Sequence, residues 1–327
     1  MLIFLALLAM VTTVAVAPID TRPLPSLARP AGDYAQALAR FDTLARRETD
    51  SILPDGASLL LLHGHRTPRA LVLVHGLANS PRQFRELARQ FHDSGYNVIV
   101  PRLPHHGFRD GDVGHLAELT AEELRDCADA SVDIAHGLGD TVLVVGLSAG
   151  GNIAAWIAQR RPDVKRVVVV SPALALGHIP RLLSAPAMNL MERVPNLTVH
   201  QSPDTLRRHA YFGVSSRGLG ETLRLGASVV EDADQNAPVV RELIMVVNGH
   251  DSSIDAEAAL RLADRWSAST SRLTTVYRFD GALGLPHDVI DVSQYCAMPE
   301  IVYPVLIALT EARTPPPPAR ITARCWQ

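Results

Sequence analysis

The sequence predicts an α/β fold in which a mostly parallel sheet is covered by helices on both faces. Short apolar runs recur along the chain, for example at residues 71–74 and 243–247, and uninterrupted apolar strands are typical of sheets buried on both faces. Segments with helical periodicity separate these runs, which favours parallel strands joined by helices. The chain has 327 residues, of which 47% are hydrophobic. It is therefore long enough for one large domain with insertions.

The order of the elements supports this prediction. Strands are predicted over residues 58–63, 70–75, 97–100, 141–145, 165–170, 243–247 and 274–278. Helices are predicted over residues 33–47, 120–138 and 149–160. One further helix is predicted to begin at Pro81, and another to follow Asp255 and end at about residue 267. Thr120 and Glu123 form a capping box, and Ser80 is placed as the N-cap of the helix that begins at Pro81. The first two strands are expected to pair across the polar turn 64–68.

The two ends of the chain differ from this pattern. Residues 1–17 are almost entirely apolar and end in Ala-Val-Ala before Pro18, which predicts a signal peptide and an exported protein, although no basic residue precedes the run. An uncleaved membrane anchor is the alternative, because the run is marginally long enough to span a bilayer. Residues 18–32 are predicted to be a proline-rich spacer, extended and mobile, and residues 314–327 a proline-rich tail.

Composition excludes some functions. The formal net charge is −3 and no basic block occurs, so no nucleic-acid partner is expected.

Among three cysteines, Cys127 lies in a helical pattern and is expected to be a buried thiol. Cys296 and Cys325 both lie near the C-terminus, and an oxidising compartment would let them pair.

The stretch Gly146-Leu147-Ser148-Ala149-Gly150 lies between a predicted strand and a predicted helix. This is the G-x-S-x-G pattern of a nucleophile elbow, in which a sharp, strained turn lifts the serine hydroxyl clear of the sheet. Gly146 and Gly150 are required because side chains two positions from Ser148 would clash with the neighbouring backbone. The helix N-terminus would point its positive dipole end at a developing oxyanion. Ser148 is therefore the predicted nucleophile.

Two further motifs, His75-Gly76-Leu77 and Pro104-His105-His106-Gly107, complete a resemblance to the α/β-hydrolase fold. The chain most resembles the carboxylesterase and monoacylglycerol-lipase-like branch, over about residues 58–313. The resemblance implies a hydrolase domain at 33–313 with an inserted cap at about 172–240. The sequence departs from related esterases in lacking an H-G-G-G loop, and it has His105 where glycine is common.

The resemblance also implies the other site residues. The backbone N–H groups of Leu77 and Ala149 would form the oxyanion hole. An acid is expected after the strand at 243–247; Asp251 matches best, and Asp255 is the alternative, although it looks more like a helix N-cap. His287 is the only histidine after Asp251, so the chain order serine, acid, histidine selects it as the base.

The expected function is that of an exported serine hydrolase that cleaves small-molecule carboxylic esters through an acyl-enzyme on Ser148, without a cofactor. Amide, thioester or carbon–carbon hydrolysis on the same fold is the alternative, followed by a non-catalytic binding protein. Membrane contact is expected only through the N-terminal segment, and the oligomeric state stays open.

Two groups of side chains suggest further roles. Two pairs among five histidines lie near the predicted active edge, but none matches a ligand signature and no acidic ligands are close by, so no metal is expected: His63, His65, His75, His105 and His106. Five apolar residues of the insertion are expected to line a slot for the acyl chain: Leu182, Leu183, Met188, Leu190 and Met191.

Overall fold

The computed structural model of the chain describes residues 1, 12–48, 51–200, 210–211, 213–269 and 275–316. The strands are β1 (Leu59–Leu61), β2 (Thr67–Val74), β3 (Asn97–Val100), β4 (Gly139–Leu147), β5 (Arg166–Val170), β6 (Thr198–His200), β7 (Gly213–Ser215), β8 (Glu242–Asn248) and β9 (Thr275–Phe279). The helices are α1 (Tyr34–Ala45), α2 (Arg85–Asp93), α3 (Ala121–Leu138), α4 (Ala149–Arg160), α5 (Arg181–Arg193), α6 (Ser216–Ala233), α7 (Ala256–Ser269) and α8 (Pro299–Thr310).

Seven strands form one sheet in the order β1-β3-β2-β4-β5-β8-β9. β1 is antiparallel to its neighbour, and the remaining pairs are parallel. Helices join the parallel strands, as the alternating pattern predicts. The expected α/β fold with a mostly parallel sheet is confirmed.

Both faces of this sheet are buried. Along β2, Val72 and Val74 pack into one hydrophobic cluster, while Leu71 and Leu73 pack into another. Successive side chains of a strand point to opposite faces, so the two clusters lie on opposite sides of the sheet. Helices α3 and α4 contribute to the first cluster, and α2 and α8 contribute to the second. This arrangement explains why the strand runs are apolar at every position.

The predicted pairing of the first two strands is wrong. Leu59 of β1 pairs with Val100 of β3 in an antiparallel ladder, whereas β2 pairs in parallel with β3 and β4. Because β3 and β4 occupy both edges of β2, no edge remains for a hairpin partner. The turn that was expected to join a hairpin instead carries the chain across β3, and β2 begins earlier than predicted, at Thr67.

The two predicted helix starts have different outcomes. Thr120 and Glu123 form the predicted capping box, with each side chain accepting from the other's backbone N–H. Ser80 precedes a 3₁₀ turn at Pro81–Phe84 but forms no side-chain cap bond, and α2 begins only after that turn.

The proline-rich spacer forms neither helix nor strand, and it is hydrogen-bonded to the domain. Ser26 Oγ and Leu27 N donate to the Asp129 carboxylate at 2.7 and 2.6 Å. Trp156 Nε1 donates to the Leu24 carbonyl oxygen at 2.9 Å. A segment outside helices and strands has unused backbone groups, and side chains of α3 and α4 satisfy those of Leu24 and Leu27. The expectation of a mobile spacer is therefore not met over this stretch.

The cap lies between β5 and β8. It contains α5, the antiparallel pair β6 and β7, and α6. The polar, glycine-containing residues 216–226 form most of α6. The N-terminal segment meets the cap, since Asn189 Nδ2 donates to the Ala15 carbonyl at 2.7 Å and Arg193 donates to the Ala17 carbonyl at 2.7 Å.

The termini and the cysteines are only partly described. Within the described residues, no helix is both long enough and apolar enough to cross a membrane; residues 2–11 lie outside that part of the chain. Cys127 is a free thiol in α3, and burial raises its pKa to about 11. Cys296 is disulfide-bonded, whereas Cys325, its expected partner, lies outside the described residues.

Candidate active site

The turn between β4 and α4 is strained at Ser148. Its φ of 58° and ψ of −114° lie in a region that residues other than glycine rarely adopt. The glycines on either side are sterically required. A Cβ on Gly146 would overlap the Gly150 carbonyl, and one on Gly150 would overlap the Val74 carbonyl. Ser148 N donates to the Val170 carbonyl at 3.0 Å, so the turn is tied to the end of β5.

The structure brings Ser148, His287 and Asp251 together. Ser148 Oγ lies 2.9 Å from His287 Nε2, and His287 Nδ1 lies 2.7 Å from Asp251 Oδ2. The Asp251 side chain is fully buried. Its Oδ1 accepts the N–H groups of Ser253 and Ile254 at 3.0 and 3.2 Å, so both carboxylate oxygens have partners.

Asp255, the alternative acid, faces elsewhere. Its Oδ1 accepts from Glu257 N at 3.0 Å and its Oδ2 pairs with Arg261 at 2.8 Å. These contacts are those of a residue that caps the start of α7. Of the two candidate acids, the structure places Asp251 beside His287.

The two predicted oxyanion donors come from separate segments of the chain. Ala149 is the first residue of α4, and the N–H groups of a first helical turn have no carbonyl partner within the helix. Leu77 follows β2 and lines the same cavity as Ser148. His75 Nδ1 donates to the Gly76 carbonyl at 2.9 Å, and His106 Nε2 lies 2.7 Å from the Leu77 carbonyl oxygen. Buried histidines therefore hold the loop that contains Leu77.

These two histidines are suited to structural hydrogen bonding. Burial lowers the pKa of His75 well below its usual value and the pKa of His106 to about 4. His75 Nε2 accepts the N–H of Leu103 at 3.1 Å, which fixes its proton on Nδ1. In the described part of the chain, no group of three or more histidine, cysteine or acidic side chains has a geometry that could hold a metal ion.

His105, the departure from the common motif, has a positive φ of 62°. A glycine would adopt this conformation without strain. His105 Nε2 lies 3.1 Å from Glu123 Oε1, and its carbonyl accepts the Tyr211 hydroxyl at 3.1 Å. Tyr211 N also donates to the Ala78 carbonyl at 3.0 Å, so the cap contacts the loop beside Leu77 directly.

A cluster of amide and carboxyl groups that no sequence motif predicted borders the site. Asp288 Oδ2 accepts from Gln83 Nε2 at 2.7 Å, Asn79 Nδ2 at 3.0 Å and Gln294 Nε2 at 3.1 Å. Burial and the neighbouring Asp291 carboxylate raise the pKa of Asp288. The only available signal was that Asp288 directly follows the predicted base, because Gln83 and Asn79 are far from it along the chain.

A cavity of about 420 Å³ opens at Ser148 and His287. Its wall is largely apolar and includes Leu77, Leu147, Ala173, Leu176, Leu219 and Ile254. A second cavity of about 200 Å³ lies under the cap between α5 and α6. Leu176 lines both cavities, so the second cavity adjoins the first.

The predicted acyl-slot residues are only partly in these cavities. Met188 is buried and lines the smaller one. Leu182 is 91% exposed and Leu183 is 54% exposed, so the prediction for these two is wrong, because they lie on the outer side of α5. Leu190 and Met191 are not among the described residues that line either of these two cavities.

The sheet order, the strained elbow and the cap inserted after β5 define the class: this is an α/β-hydrolase. A family model described as "Serine aminopeptidase, S33" (Hydrolase_4) matches residues 65–279, which is more than half of the chain. The chain therefore belongs to this family.

Curated relatives carry lipase names. The chain is 31% identical over 182 residues to "Thermostable monoacylglycerol lipase" of Bacillus sp. (strain H-257), covering 51% of this chain and 66% of that protein. It is 30% identical over 113 residues to "Phospholipase YtpA" of Bacillus subtilis (strain 168), covering 34% and 43%. The chain thus spans less than two thirds of the length of each of these relatives.

Solved structures show the same fold. A structure described under "LipS and LipT, two metagenome-derived lipolytic enzymes" has a TM-score of 0.61 at 18% identity, covering 80% of this chain and 100% of that one. The monoacylglycerol lipase of Paleococcus ferrophilus has a TM-score of 0.53 at 20% identity, covering 71% and 90%. At this level of identity the similarity concerns the fold alone.

Proposed function

We propose that the protein is a serine esterase that hydrolyses small-molecule carboxylic esters through an acyl-enzyme on Ser148. The observation that carries the proposal is the chain of hydrogen bonds from Ser148 Oγ through His287 to Asp251, at 2.9 and 2.7 Å, which opens into a largely apolar cavity. A serine, a base and a buried orienting acid in this geometry are the components of nucleophilic acyl transfer. The lipase names of the relatives agree with an ester substrate.

Each step uses an atom of the site. Ser148 Oγ attacks the ester carbonyl while His287 Nε2 takes its proton, and Asp251 stabilises the imidazolium through Nδ1. The N–H groups of Leu77 and Ala149 bind the carbonyl oxygen as it becomes an oxyanion. When the carbon–oxygen bond breaks, His287 returns the proton to the leaving alcohol. Water then attacks the acyl-enzyme by the same route and releases the acid and free Ser148.

The apolar walls of the cavity favour an ester substrate over a peptide substrate with a free, charged amino terminus. An aminopeptidase must hold a charged ammonium group, which needs an accessible carboxylate. Asp288 is the one carboxylate among the described residues that line the larger cavity, and three side-chain amides already donate to its Oδ2. The adjoining cavity at Met188 offers apolar surface for the acyl chain.

We also propose that the protein is exported, with residues 1–17 as a signal peptide; the uncleaved anchor is the competing form. Support comes from the apolar run before Pro18 and from the disulfide-bonded state of Cys296, because disulfides persist in oxidising compartments.

A substrate panel tests the proposed reaction. Purified protein is assayed on p-nitrophenyl esters of increasing acyl length, with the matched p-nitroanilide and thioester as comparators. We expect the wild-type protein to hydrolyse the ester fastest and to be labelled by a fluorophosphonate probe. Both the ester turnover and the labelling should vanish in Ser148→Ala. Faster anilide or thioester turnover would favour the alternative chemistries, and unaltered activity in Ser148→Ala would exclude the proposed nucleophile. No turnover and no labelling would favour a binding protein.

A further inference from the structure

Gly76 lies between the two peptide groups that determine where the Leu77 N–H points. The peptide bond from Gly76 to Leu77 is trans, so this N–H points opposite to the Gly76 carbonyl. His75 Nδ1 donates to that carbonyl at 2.9 Å. On the other side, the Gly76 N–H donates to Gln83 Oε1 at 2.9 Å. Side chains therefore hold both peptide planes that flank Gly76.

These contacts matter because glycine has the least restricted backbone of any residue. Gly76 also lies against the nucleophile, since a Cβ added to it would be 3.5 Å from Ser148 Cβ. The absence of a side chain removes the usual restriction on φ and ψ. The Gln83 bond supplies a restriction that Gly76 itself lacks.

The orientation of the Gln83 amide is itself determined. Gln83 is buried, with 3% of its surface exposed, and its Nε2 donates to Asp288 Oδ2 at 2.7 Å. Because Gly76 offers a donor and Asp288 offers an acceptor, only one orientation of the amide satisfies both partners. Asp288 directly follows His287 in the chain. Two hydrogen bonds thus link the loop of the base to the loop of the oxyanion donor.

We propose that Gln83 is a positioning residue: anchored by Asp288, its amide holds the Gly76 peptide so that the Leu77 N–H is aimed at the oxyanion. The proposal rests on the proposed function, because it requires Leu77 to act as an oxyanion donor. Gln83 lines the same cavity as Ser148, but in this role it acts through Gly76.

The test replaces Gln83 with methionine, which is unbranched and similar in length but forms neither hydrogen bond. Complete removal of an oxyanion donor slows turnover by about 100-fold to 1,000-fold. Gln83→Met keeps the Leu77 N–H and loosens its direction, so we expect kcat on a p-nitrophenyl ester to fall by about 10-fold to 100-fold, with KM changed by less than about threefold. The rate of fluorophosphonate labelling should fall in parallel.

Three further measurements separate positioning from general damage. Arg82→Met removes a polar contact from the same 3₁₀ turn, where Arg82 pairs with Asp55 at 3.1 Å, and should retain kcat within about twofold. The pH profile of kcat/KM reports the base, so in Gln83→Met it should keep its wild-type midpoint. Asp288→Ala leaves the Gln83 carbonyl in place without its anchor, and its kcat should fall less than that of Gln83→Met.

The outcomes are distinguishable. A Gln83→Met protein with wild-type kcat and labelling rate, or with a raised KM alone, overturns the positioning role. A shifted pH midpoint also overturns it, because the base and not the oxyanion loop would then be disturbed. If Gln83→Met does not fold, the result for Asp288→Ala decides, and unchanged turnover there counts against the proposal. A wild-type protein that is not labelled overturns the proposed function together with this inference.

Discussion

His287 and Asp251 face each other across a hydrogen bond of 2.7 Å between Nδ1 and Oδ2. The acid is fully buried while the ring is 22% exposed, so the pair is protected on the acid side and open on the side of Ser148. Two backbone N–H groups hold the second oxygen of Asp251. A carboxylate held in this way keeps the proton of the imidazole on Nδ1 and leaves Nε2 free to accept.

The first prediction concerns the choice of acid. In Asp251→Asn the amide can present an N–H to the ring and favour the wrong tautomer, so we expect esterase activity to fall by about 10⁴-fold. Asp255→Asn removes one charge at the start of α7 and should change activity by less than about threefold. Steady-state kinetics on a p-nitrophenyl ester measure both variants. A larger loss in Asp255→Asn would reverse the assignment.

The second prediction concerns acyl-chain length. Met188 lines the cavity under the cap, and each buried methylene group stabilises a bound chain by about 0.8 kcal/mol. Met188→Ser should therefore lower kcat/KM for the octanoate ester by about tenfold and leave acetate turnover nearly unchanged, since acetate is too short to reach that cavity.

Leu182→Ser is the matched control for this experiment. Leu182 belongs to the same helix but is 91% exposed, so neither ester should be affected. Equal losses for octanoate and acetate in Met188→Ser would mean that the cap supports the fold or the catalytic groups, and that it does not select the acyl chain.

Local patterns made much of this site predictable. The elbow depends mainly on residues adjacent in sequence, because Gly146 is required by a contact with Gly150 in the same strand-turn-helix unit, although Gly150 is required by the Val74 carbonyl at the end of β2. Thr120 and Glu123 likewise belong to one helix end. In such cases the residues that interact are close in the chain, so their types and spacing carry the information.

Features that depend on distant residues were not predictable in the same way. The partner of β1 is decided by which strand occupies the edge of β2, and no property of residues 58–63 reveals this. The link from Gly76 through Gln83 to Asp288 spans 205 residues between its last two members. In the cap, apolar character alone does not show which side of α5 faces the cavity, so Leu182 and Met188 received the same expectation.

The third prediction joins the disulfide to export. Cys296 is disulfide-bonded, and the free thiol of Cys127 leaves Cys325 as the remaining cysteine of three in the sequence. We expect unreduced peptide mapping of protein from the exported fraction to give a Cys296–Cys325 linked peptide, and its N-terminal sequence to begin at Pro18. Recovery of both thiols free would contradict the pairing, and an intact Met1 in membranes would favour the anchor.

The last prediction concerns the pH dependence of stability. Glu192 on α5 has a buried Oε1 without a hydrogen-bond partner in the described part of the chain. Burial and the nearby Glu221 carboxyl raise its pKa from 4.5 to about 8. Glu221 is held by Ala121 N and Arg224 Nε, both at 2.8 Å, so the proton resides on Glu192.

A raised carboxyl pKa means that the folded state binds more protons than the unfolded state between the two pKa values, so stability falls as the pH rises from about 4.5 to 8. Glu192→Gln removes this titration. We expect its melting temperature to match that of the wild type near pH 4.5 and to exceed it above pH 8, in thermal unfolding followed across this range. Glu257→Gln, at a side chain that is 61% exposed, should leave the pH profile unchanged. A Glu192→Gln protein with the same pH profile as the wild type would show that this carboxyl titrates normally in the fold.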